Sequence, residues 1–278
     1  MSIPRRPLGR TGHAATVLGL GGEGILRTYG YDAEAQAVIQ AALAAGIEYF
    51  ETARAYSGSE KYLGEGLKGR RDRIFLTSKS HGRTYKEAMA HLSITLKNLQ
   101  TDYLDLWQVH DVRTLEEVAA LGAPGGALEA FQEARKRGWA RFIGVTGHLD
   151  PEVLRRALNL YEFDTVLMPV NPAEPVDRSF LPLAAEAAAK GLGVIAMKVL
   201  CRGRLPKLAE DPVGLVRELI AYALSQPTSL AVVGADSAAQ VQELATAASQ
   251  FIPMTAAEQR ALEEAVAPLA RPLMYYKP

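Results

Sequence analysis

The stretch Leu104-Asp105-Leu106-Trp107-Gln108-Val109-His110 is a mostly apolar run that ends at a histidine. Short apolar runs of this kind are typical of buried β-strands. Two similar runs end at Glu51 and at Lys79, and Tyr56 follows closely after the first of them. If these strands are parallel neighbours, their carboxyl ends form one rim of a sheet or barrel. The pattern therefore predicts that a carboxylate, a phenol, an ammonium group and an imidazole converge there.

Short apolar runs alternate with longer segments of helical periodicity along the whole chain. The predicted strands are residues 16–20, 47–51, 73–79, 103–109, 140–145, 164–168, 192–197 and 229–233. The predicted helices are residues 32–45, 59–68, 84–99, 126–137, 151–160, 178–190, 213–225 and 237–248. Eight strands that alternate with eight helices predict a closed parallel (β/α)8 barrel, the TIM barrel fold.

Both ends of the chain are predicted to add small elements to this barrel. The segment Pro7-Leu8-Gly9-Arg10-Thr11-Gly12 indicates an N-terminal turn or hairpin. Thr255 is followed three residues later by Glu258, which is a capping-box pattern and predicts an added C-terminal helix from Thr255 to Ala267. Because no Gly/Ser-rich linker divides the chain, we expect residues 1–278 to form one domain.

Composition and charge exclude several classes of protein. The chain has 278 residues, with 31 Lys plus Arg against 31 Asp plus Glu. This balance favours neither nucleic-acid binding nor attachment to a charged membrane surface. Cys201 is the only cysteine, so an internal disulfide and a multi-cysteine metal site are excluded, and no metal site is predicted. No apolar stretch is long enough for a signal peptide or a membrane span, and we expect a cytoplasmic protein.

The four polar residues at the predicted rim form a set that can move a proton. A free phenol has a pKa of about 10 and releases its proton reluctantly at neutral pH. Lys79 is the cation that would favour the phenolate of Tyr56, and Glu51 would keep that lysine charged. His110 could orient a substrate oxygen. Taken singly, each residue also has a structural explanation, such as wall packing, a surface charge or a helix cap. Together they predict protonation of a carbonyl oxygen during hydride transfer, or its reverse.

Several motifs, in order along the chain, resemble the aldo-keto reductase family. They are Phe50–Tyr56, Ser59–Gly64, Thr77–Lys79, Thr101–His110 and Gly144–His148. The resemblance implies an eight-stranded barrel that binds NADP(H) or NAD(H) without a Rossmann domain. It also implies that Tyr56 is the general acid and that Lys79 and His110 are its partners. Glu51 departs from the aspartate that the family has there. The additional methylene moves the carboxylate by roughly 1.5 Å, a shift that the site either absorbs or transmits to Tyr56 and Lys79.

The resemblance also predicts residues that contact the nicotinamide end of a cofactor. Thr146 and His148 occupy the place of the family's Ser-Asn pair, although His148 could equally cap the following helix. Met197 stands where the family has an aromatic stacking residue, and Leu167 where many members have glutamine. Asn171 could reach the site from its loop, with a role in the turn as the alternative.

The predicted phosphate-binding residues of the cofactor site lie after the last two strands. Lys198 could bind a phosphate, with a solvated surface charge as the alternative. Gly234, Ser237 and Gln240 lie where the family holds the adenosine phosphate of NADP, but no Lys or Arg accompanies them in this segment. The resemblance therefore leaves the choice between NADP and NAD open.

Two functions follow from these observations. The first is NAD(P)H-dependent reduction of an aldehyde or ketone, a small-molecule carbonyl substrate, with the proton supplied by Tyr56. The alternative is a sensor or regulatory subunit that binds the nicotinamide cofactor with little catalysis. We expect variable loops near 22–31, 111–125 and 201–212, together with the tail, to select the substrate. The oligomeric state is not predicted.

Overall fold

A computed structural model describes residues 2–277 and contains a closed barrel of eight parallel strands. The strands are β1 Arg5–Pro7, β2 Ala14–Thr16, β3 Leu18–Gly24, β4 Tyr49–Glu51, β5 Phe75–Ser80, β6 Leu104–Val109, β7 Ala140–Thr146, β8 Thr165–Pro169, β9 Gly193–Met197 and β10 Leu230–Ala235. Strands β3 to β10 form the barrel in chain order, and β10 pairs with β3 to close it. The predicted (β/α)8 barrel is confirmed.

Helices surround the barrel. They are α1 Asp32–Ala44, α2 Ser59–Gly66, α3 Tyr85–Leu99, α4 Leu115–Gly122, α5 Ala127–Lys136, α6 Pro151–Leu158, α7 Leu181–Ala189, α8 Pro212–Ser225, α9 Ala238–Ser249, α10 Ala256–Val266 and α11 Ala270–Leu273. Short 3-10 turns occur at Gly9–Thr11, Ile25–Arg27, Arg71–Arg73, Glu174–Val176, Cys201–Gly203, Pro206–Leu208 and Ala267–Leu269. Among residues 2–277, no helix has the length and apolar character that crossing a bilayer would require.

The ends of the chain agree with the elements predicted for them. Strands β1 and β2 form an antiparallel hairpin in the N-terminal segment. Thr255 and Glu258 make both hydrogen bonds of a capping box at the start of α10. These local signals are reliable because a helix terminus must satisfy its first amide groups with nearby acceptors.

Two segments differ from the sequence prediction. The first barrel strand was predicted to end at residue 20 but continues to Gly24. The additional residues include several glycines, and a strand rich in glycine does not show the apolar run by which strands are predicted. Residues 111–125 were predicted to be a loop, yet α4 occupies part of them and begins where Thr114 accepts a hydrogen bond from the Glu117 amide. The sequence carries this capping signal, but Gly122, Gly125 and Gly126 follow closely and are typical of a loop.

The barrel interior forms a core distinct from the layer between strands and helices. Its buried side chains are Leu8, Ala15, Tyr49, Phe75, Leu106, Leu167, Ile195, Met197, Leu230 and Val232. Leu8 and Ala15 come from the N-terminal segment, which therefore closes one end of the barrel. The opposite end, where the barrel strands terminate, is left for the polar residues that follow them.

Replacement of Leu8 by alanine tests whether the N-terminal segment closes the barrel. Leu8 is fully buried, so the Leu8→Ala variant leaves a cavity among rigid strands. We expect the free energy of unfolding to fall by about 2–5 kcal/mol, measured by equilibrium urea denaturation. Leu115→Ala, at an exposed leucine, is the control and should change it by less than about 0.5 kcal/mol. Equal effects of the two variants would contradict the assignment.

Candidate active site

A buried ion pair joins the ends of two neighbouring barrel strands. Glu51 is the last residue of β4, and Lys79 lies near the end of β5. The Lys79 ammonium contacts the Glu51 carboxylate, and the two residues are only 1% and 4% exposed. The second oxygen of Glu51 accepts a hydrogen bond from the Gly22 amide at 3.1 Å. Both carboxylate oxygens of Glu51 therefore have partners.

Tyr56 lies directly against this ion pair. The Lys79 ammonium donates a hydrogen bond to the Thr52 carbonyl at 2.9 Å and approaches the Tyr56 hydroxyl at 3.5 Å. The loop that carries Tyr56 is held to β5 by a hydrogen bond of 3.0 Å from the Arg54 amide to the Lys79 carbonyl. The ring of His110, which follows β6, meets the Tyr56 ring edge-on with 5.7 Å between centroids. The structure therefore brings together the four residues predicted to converge.

Burial sets the protonation states of three of these groups. It raises the pKa of Tyr56 well above the ordinary value of 10.0, and Glu23 adds to this effect while Arg27 opposes it. Burial lowers the pKa of His110 well below 6.5, so its imidazole is neutral at pH 7. Burial also lowers the pKa of Lys79. Glu23 opposes that shift, and the Glu51 carboxylate in contact with the ammonium is the kind of neighbour that favours its charged form.

Asp111, which directly follows His110, makes hydrogen bonds to Thr146 and His148. It has φ of 53°, a left-handed conformation, and its amide donates to the Thr146 hydroxyl at 2.7 Å. Its carboxylate is hydrogen-bonded to Nδ1 of His148 at 2.6 Å. Although burial opposes it, the hydrogen bonds from His148 and Arg113 hold the pKa of Asp111 well below its usual range. Thr146 and His148, two predicted cofactor residues, are thus engaged with Asp111 and are not among the residues that line the cavity described below.

A second buried carboxylate supports the loop of Tyr56. Glu60, in α2, accepts hydrogen bonds from Arg54 at 2.5 Å, Thr95 at 2.6 Å and Ser78 at 3.1 Å. Ser78 immediately precedes Lys79, and Arg54 lies two residues before Tyr56. Glu60 therefore links the Tyr56 loop to β5 and α3. The sequence motif contained this residue, but no local signal indicated which groups it would bind.

A cavity of about 620 Å³ opens beside Tyr56 and Glu51. Of the predicted cofactor residues, Met197, Lys198, Gly234 and Gln240 line it. Ser237 does not; its hydroxyl caps α9 by accepting a hydrogen bond from the Gln240 amide at 3.2 Å. The volume lies within the range of about 300–1,000 Å³ that is usual for ligand pockets.

Asn171 lies behind this cavity, where its amide makes structural hydrogen bonds. Nδ2 donates to the Lys198 carbonyl at 3.2 Å and to the Tyr276 hydroxyl at 2.9 Å. Tyr276 in turn donates to Glu174 at 2.6 Å, and Glu174 also pairs with the fully buried ammonium of Lys277. The C-terminal tail is thereby fastened to the loop after β9. Asn171 holds the backbone of Lys198 and does not line the cavity.

The structure adds two charged residues to the site that the sequence analysis did not single out. Glu23 lies in the glycine-rich end of β3, and Arg27 ends the turn that follows it. The Glu23 carboxylate is 3.0 Å from Arg27 and 3.4 Å from Lys198. The Arg27 guanidinium lies over the Tyr56 ring, 4.8 Å from its centroid. The sequence signal that could have indicated Glu23 is its position among glycines at the end of a strand, because side chains there reach the mouth of a barrel.

The lining residues of the cavity fit a nicotinamide cofactor. Leu167, Met197 and Val232 form an apolar wall suited to a flat ring, and Lys198 and Arg202 supply positive charge for a pyrophosphate. Gly234 offers backbone without a side chain. Among residues 2–277, no group of three or more His, Cys, Asp or Glu side chains is arranged to hold a metal ion.

Removal of the Lys79 ammonium tests the importance of the buried ion pair. In Lys79→Met, Glu51 is left as a buried carboxylate without its cation, so we expect the free energy of unfolding to fall by about 3–5 kcal/mol. The double variant Lys79→Met/Glu51→Gln contains no buried charge at this position and should be more stable than the single variant. Equilibrium urea denaturation measures both. Equal stability of the single and double variants would contradict the pairing.

Comparison with known proteins places this chain in a family. The model of the aldo/keto reductase family matches residues 17–218. L-galactose dehydrogenase of Arabidopsis thaliana is 31% identical over 220 residues, which cover 73% of this chain and 67% of that protein. D-galacturonate reductase of Fragaria ananassa is 32% identical over 192 residues, which cover 61% of this chain and 58% of that protein. The match thus spans less than two thirds of the second relative.

A solved structure agrees with the observed architecture. An aldo-keto reductase of Klebsiella pneumoniae in complex with NADPH has a TM-score of 0.79 and 23% identity, with 96% of each chain covered. At this identity the likeness supports the fold alone. The family match, which covers more than half of the chain, carries the assignment. This chain belongs to the aldo/keto reductase family and is an oxidoreductase that uses a nicotinamide cofactor, NADP(H) or NAD(H).

Proposed function

We propose that this protein reduces an aldehyde or ketone to an alcohol with NAD(P)H, and that Tyr56 supplies the proton. The observation that carries the proposal is the position of Tyr56, which lines the cavity and lies within 3.5 Å of the Lys79 ammonium. A phenol beside a buried cation is suited to protonate a carbonyl oxygen, because the cation stabilises the phenolate that forms.

The other three polar residues support Tyr56 in this reaction. Lys79 stabilises the developing negative charge on the phenol oxygen, and Glu51 keeps the lysine charged and in place. His110 is neutral, so its imidazole can hydrogen-bond the substrate oxygen without competing as an acid. Buried donors with fixed positions contribute most here, because they need little reorganisation during the reaction.

The cofactor supplies the hydride in this proposal. Met197, Lys198, Gly234 and Gln240 would hold it from the lining of the cavity. Thr146 and His148 stay predicted contacts of its amide end, and Ser237 of its phosphate end. Asn171 would act through the Lys198 backbone that it holds. The Klebsiella protein, which shares this fold, was solved in complex with NADPH, and this supports the proposal that a nicotinamide cofactor binds here.

The substrate is proposed to be a small carbonyl compound that enters beside Tyr56. The segment with Glu23 and Arg27 and the loop after β9 line the cavity and would contact the substrate. The cytoplasmic location also stays a prediction from the sequence.

The variant Tyr56→Phe tests the proton donor. The change removes the hydroxyl but keeps the ring, so we expect turnover of carbonyl substrates to fall by about a hundredfold to ten-thousandfold. Binding of NADPH or NADH, followed by nicotinamide fluorescence, should change by less than about twofold. Tyr85→Phe, at an exposed tyrosine outside the cavity, is the matched control.

Unchanged turnover in Tyr56→Phe would overturn the assignment of the proton donor. If the unaltered protein binds the cofactor but transfers hydride to no carbonyl compound, the sensor function is favoured instead. A panel of aldehydes and ketones, with cofactor oxidation followed by absorbance, distinguishes these outcomes.

The reduction rate should be independent of pH between about pH 7 and pH 9. In this window Tyr56 keeps its proton because its pKa lies above 10.0, and His110 stays neutral because its pKa lies below 6.5. Burial lowers the pKa of Lys79, and we expect the contact with Glu51 to keep it charged in this window. Measurement of kcat for reduction across the window checks this expectation. A fall in kcat as the pH rises would indicate that Lys79 or Tyr56 loses its proton there.

A further inference from the structure

We propose that Arg27 binds a carboxylate of the substrate, so that the preferred substrate is an oxo acid, an aldehyde or ketone that also carries a carboxylate. This inference rests on the proposed carbonyl reduction at Tyr56 and names the substrate class. It depends on the position of Arg27, the donors that it leaves unused and the charges around it.

Arg27 is held in place at the mouth of the cavity. Gly24, with φ of 69°, leads into its turn, and a Cβ at Gly24 would lie only 2.6 Å from the Ala235 carbonyl oxygen. Directly after Arg27, the Thr28 carbonyl accepts a hydrogen bond of 3.0 Å from the Gly58 amide in the Tyr56 loop. The Arg27 side chain then lies over the Tyr56 ring. Its position is therefore coupled to that of the proposed proton donor.

The guanidinium of Arg27 has unused hydrogen-bond donors. Within residues 2–277, its hydrogen bond runs from Nη1 to Glu23 at 3.0 Å, and Nε and Nη2 have no partner. The side chain is 38% exposed and lines the cavity, so these donors are accessible to a ligand. Planar guanidinium groups bind carboxylates through two parallel hydrogen bonds. The free edge of Arg27 can accept a substrate carboxylate in this way.

The charged side chains next to Tyr56 lie in pairs and leave Arg27 able to bind an anion. Glu23 is a single carboxylate that faces two cations, Arg27 and Lys198. Glu51, the other nearby acid of the lining, is already paired with Lys79. Because Lys198 is left for the cofactor pyrophosphate, Glu23 balances only Arg27, and a carboxylate is attracted by the free donors of Arg27 rather than by a surplus of charge. Asp236 and Glu243 line the cavity from the end of β10 and from α9 and are not paired with Arg27.

The geometry restricts the length of the substrate. A carbonyl oxygen that accepts the Tyr56 proton must lie within hydrogen-bonding distance of the hydroxyl. The Arg27 guanidinium is 4.8 Å from the centre of the same ring. Carbonyl and carboxylate must therefore be separated by only a few carbon atoms. 4-Oxobutanoate meets this condition, and its methyl ester is a neutral analogue of nearly the same shape.

The test compares these two compounds with the unaltered protein and with Arg27→Gln. We expect the unaltered protein to reduce the acid with a kcat/KM about tenfold or more above that of the ester. In Arg27→Gln this ratio should fall by about tenfold to a hundredfold, mainly through KM, because a charge-assisted hydrogen bond to the substrate is lost. Arg27→Lys keeps the positive charge but cannot make two parallel hydrogen bonds to a carboxylate, so it should give an intermediate ratio. Arg73→Gln, at an exposed arginine outside the cavity, is the control.

Separate readouts distinguish failure of this inference from failure of the proposed function. Reduction of 4-nitrobenzaldehyde, which has no carboxylate, tests the carbonyl reductase alone. If it is reduced but acid and ester are used equally well, the inference is overturned and the proposed function stands. If no carbonyl compound is reduced, calorimetric titration of the protein with NADP+ and 4-hydroxybutanoate still tests whether Arg27 binds a carboxylate. Binding that is lost in Arg27→Gln supports the carboxylate site, and equal binding of 4-hydroxybutanoate and its methyl ester overturns it.

Discussion

The buried ion pair between Glu51 and Lys79 is the interaction on which the rest of the site depends. Two opposite charges out of water are tolerable only when each is paired and its remaining hydrogen-bonding atoms are satisfied. Here the Gly22 amide and the Thr52 carbonyl complete the pair. These contacts connect β3, β4 and β5 at the ends of their strands. The same ammonium lies against the hydroxyl of Tyr56, the proposed proton donor, so the pair that stabilises the fold also positions that group.

Two further buried carboxylates extend this arrangement outward. Glu60 binds Arg54 and thereby fixes the loop that carries Tyr56. Glu174 binds Tyr276 and Lys277 and fastens the C-terminal tail, which through Asn171 holds the backbone at Lys198. A buried carboxylate is stable only when all its hydrogen-bond partners are in place. Glu60 and Glu174 therefore stabilise one conformation of the surrounding loops. The site is therefore built from loops, but with the geometric precision of the barrel that supports it.

The sequence predicted most of the fold because each strand and helix leaves a local pattern. Buried parallel strands require apolar runs, and helices require periodicity and caps, which were visible for all eight barrel strands. The prediction was wrong where glycines obscured the pattern, at the end of β3 and around α4. The convergence of Tyr56, Lys79, His110 and Glu51 was also predictable, because parallel strands deliver their last residues to the same rim.

The sequence by itself determined the alternation of elements, the closed barrel and the four polar residues at its rim. Tertiary structure alone decided which groups those residues contact. It placed Arg27 over Tyr56, shared Glu23 between two cations and joined Asn171 to Tyr276 across 105 positions of the chain. The physical reason is that periodicity and capping act within a few residues, whereas hydrogen bonds between loops depend on the packing of distant segments and leave no local trace.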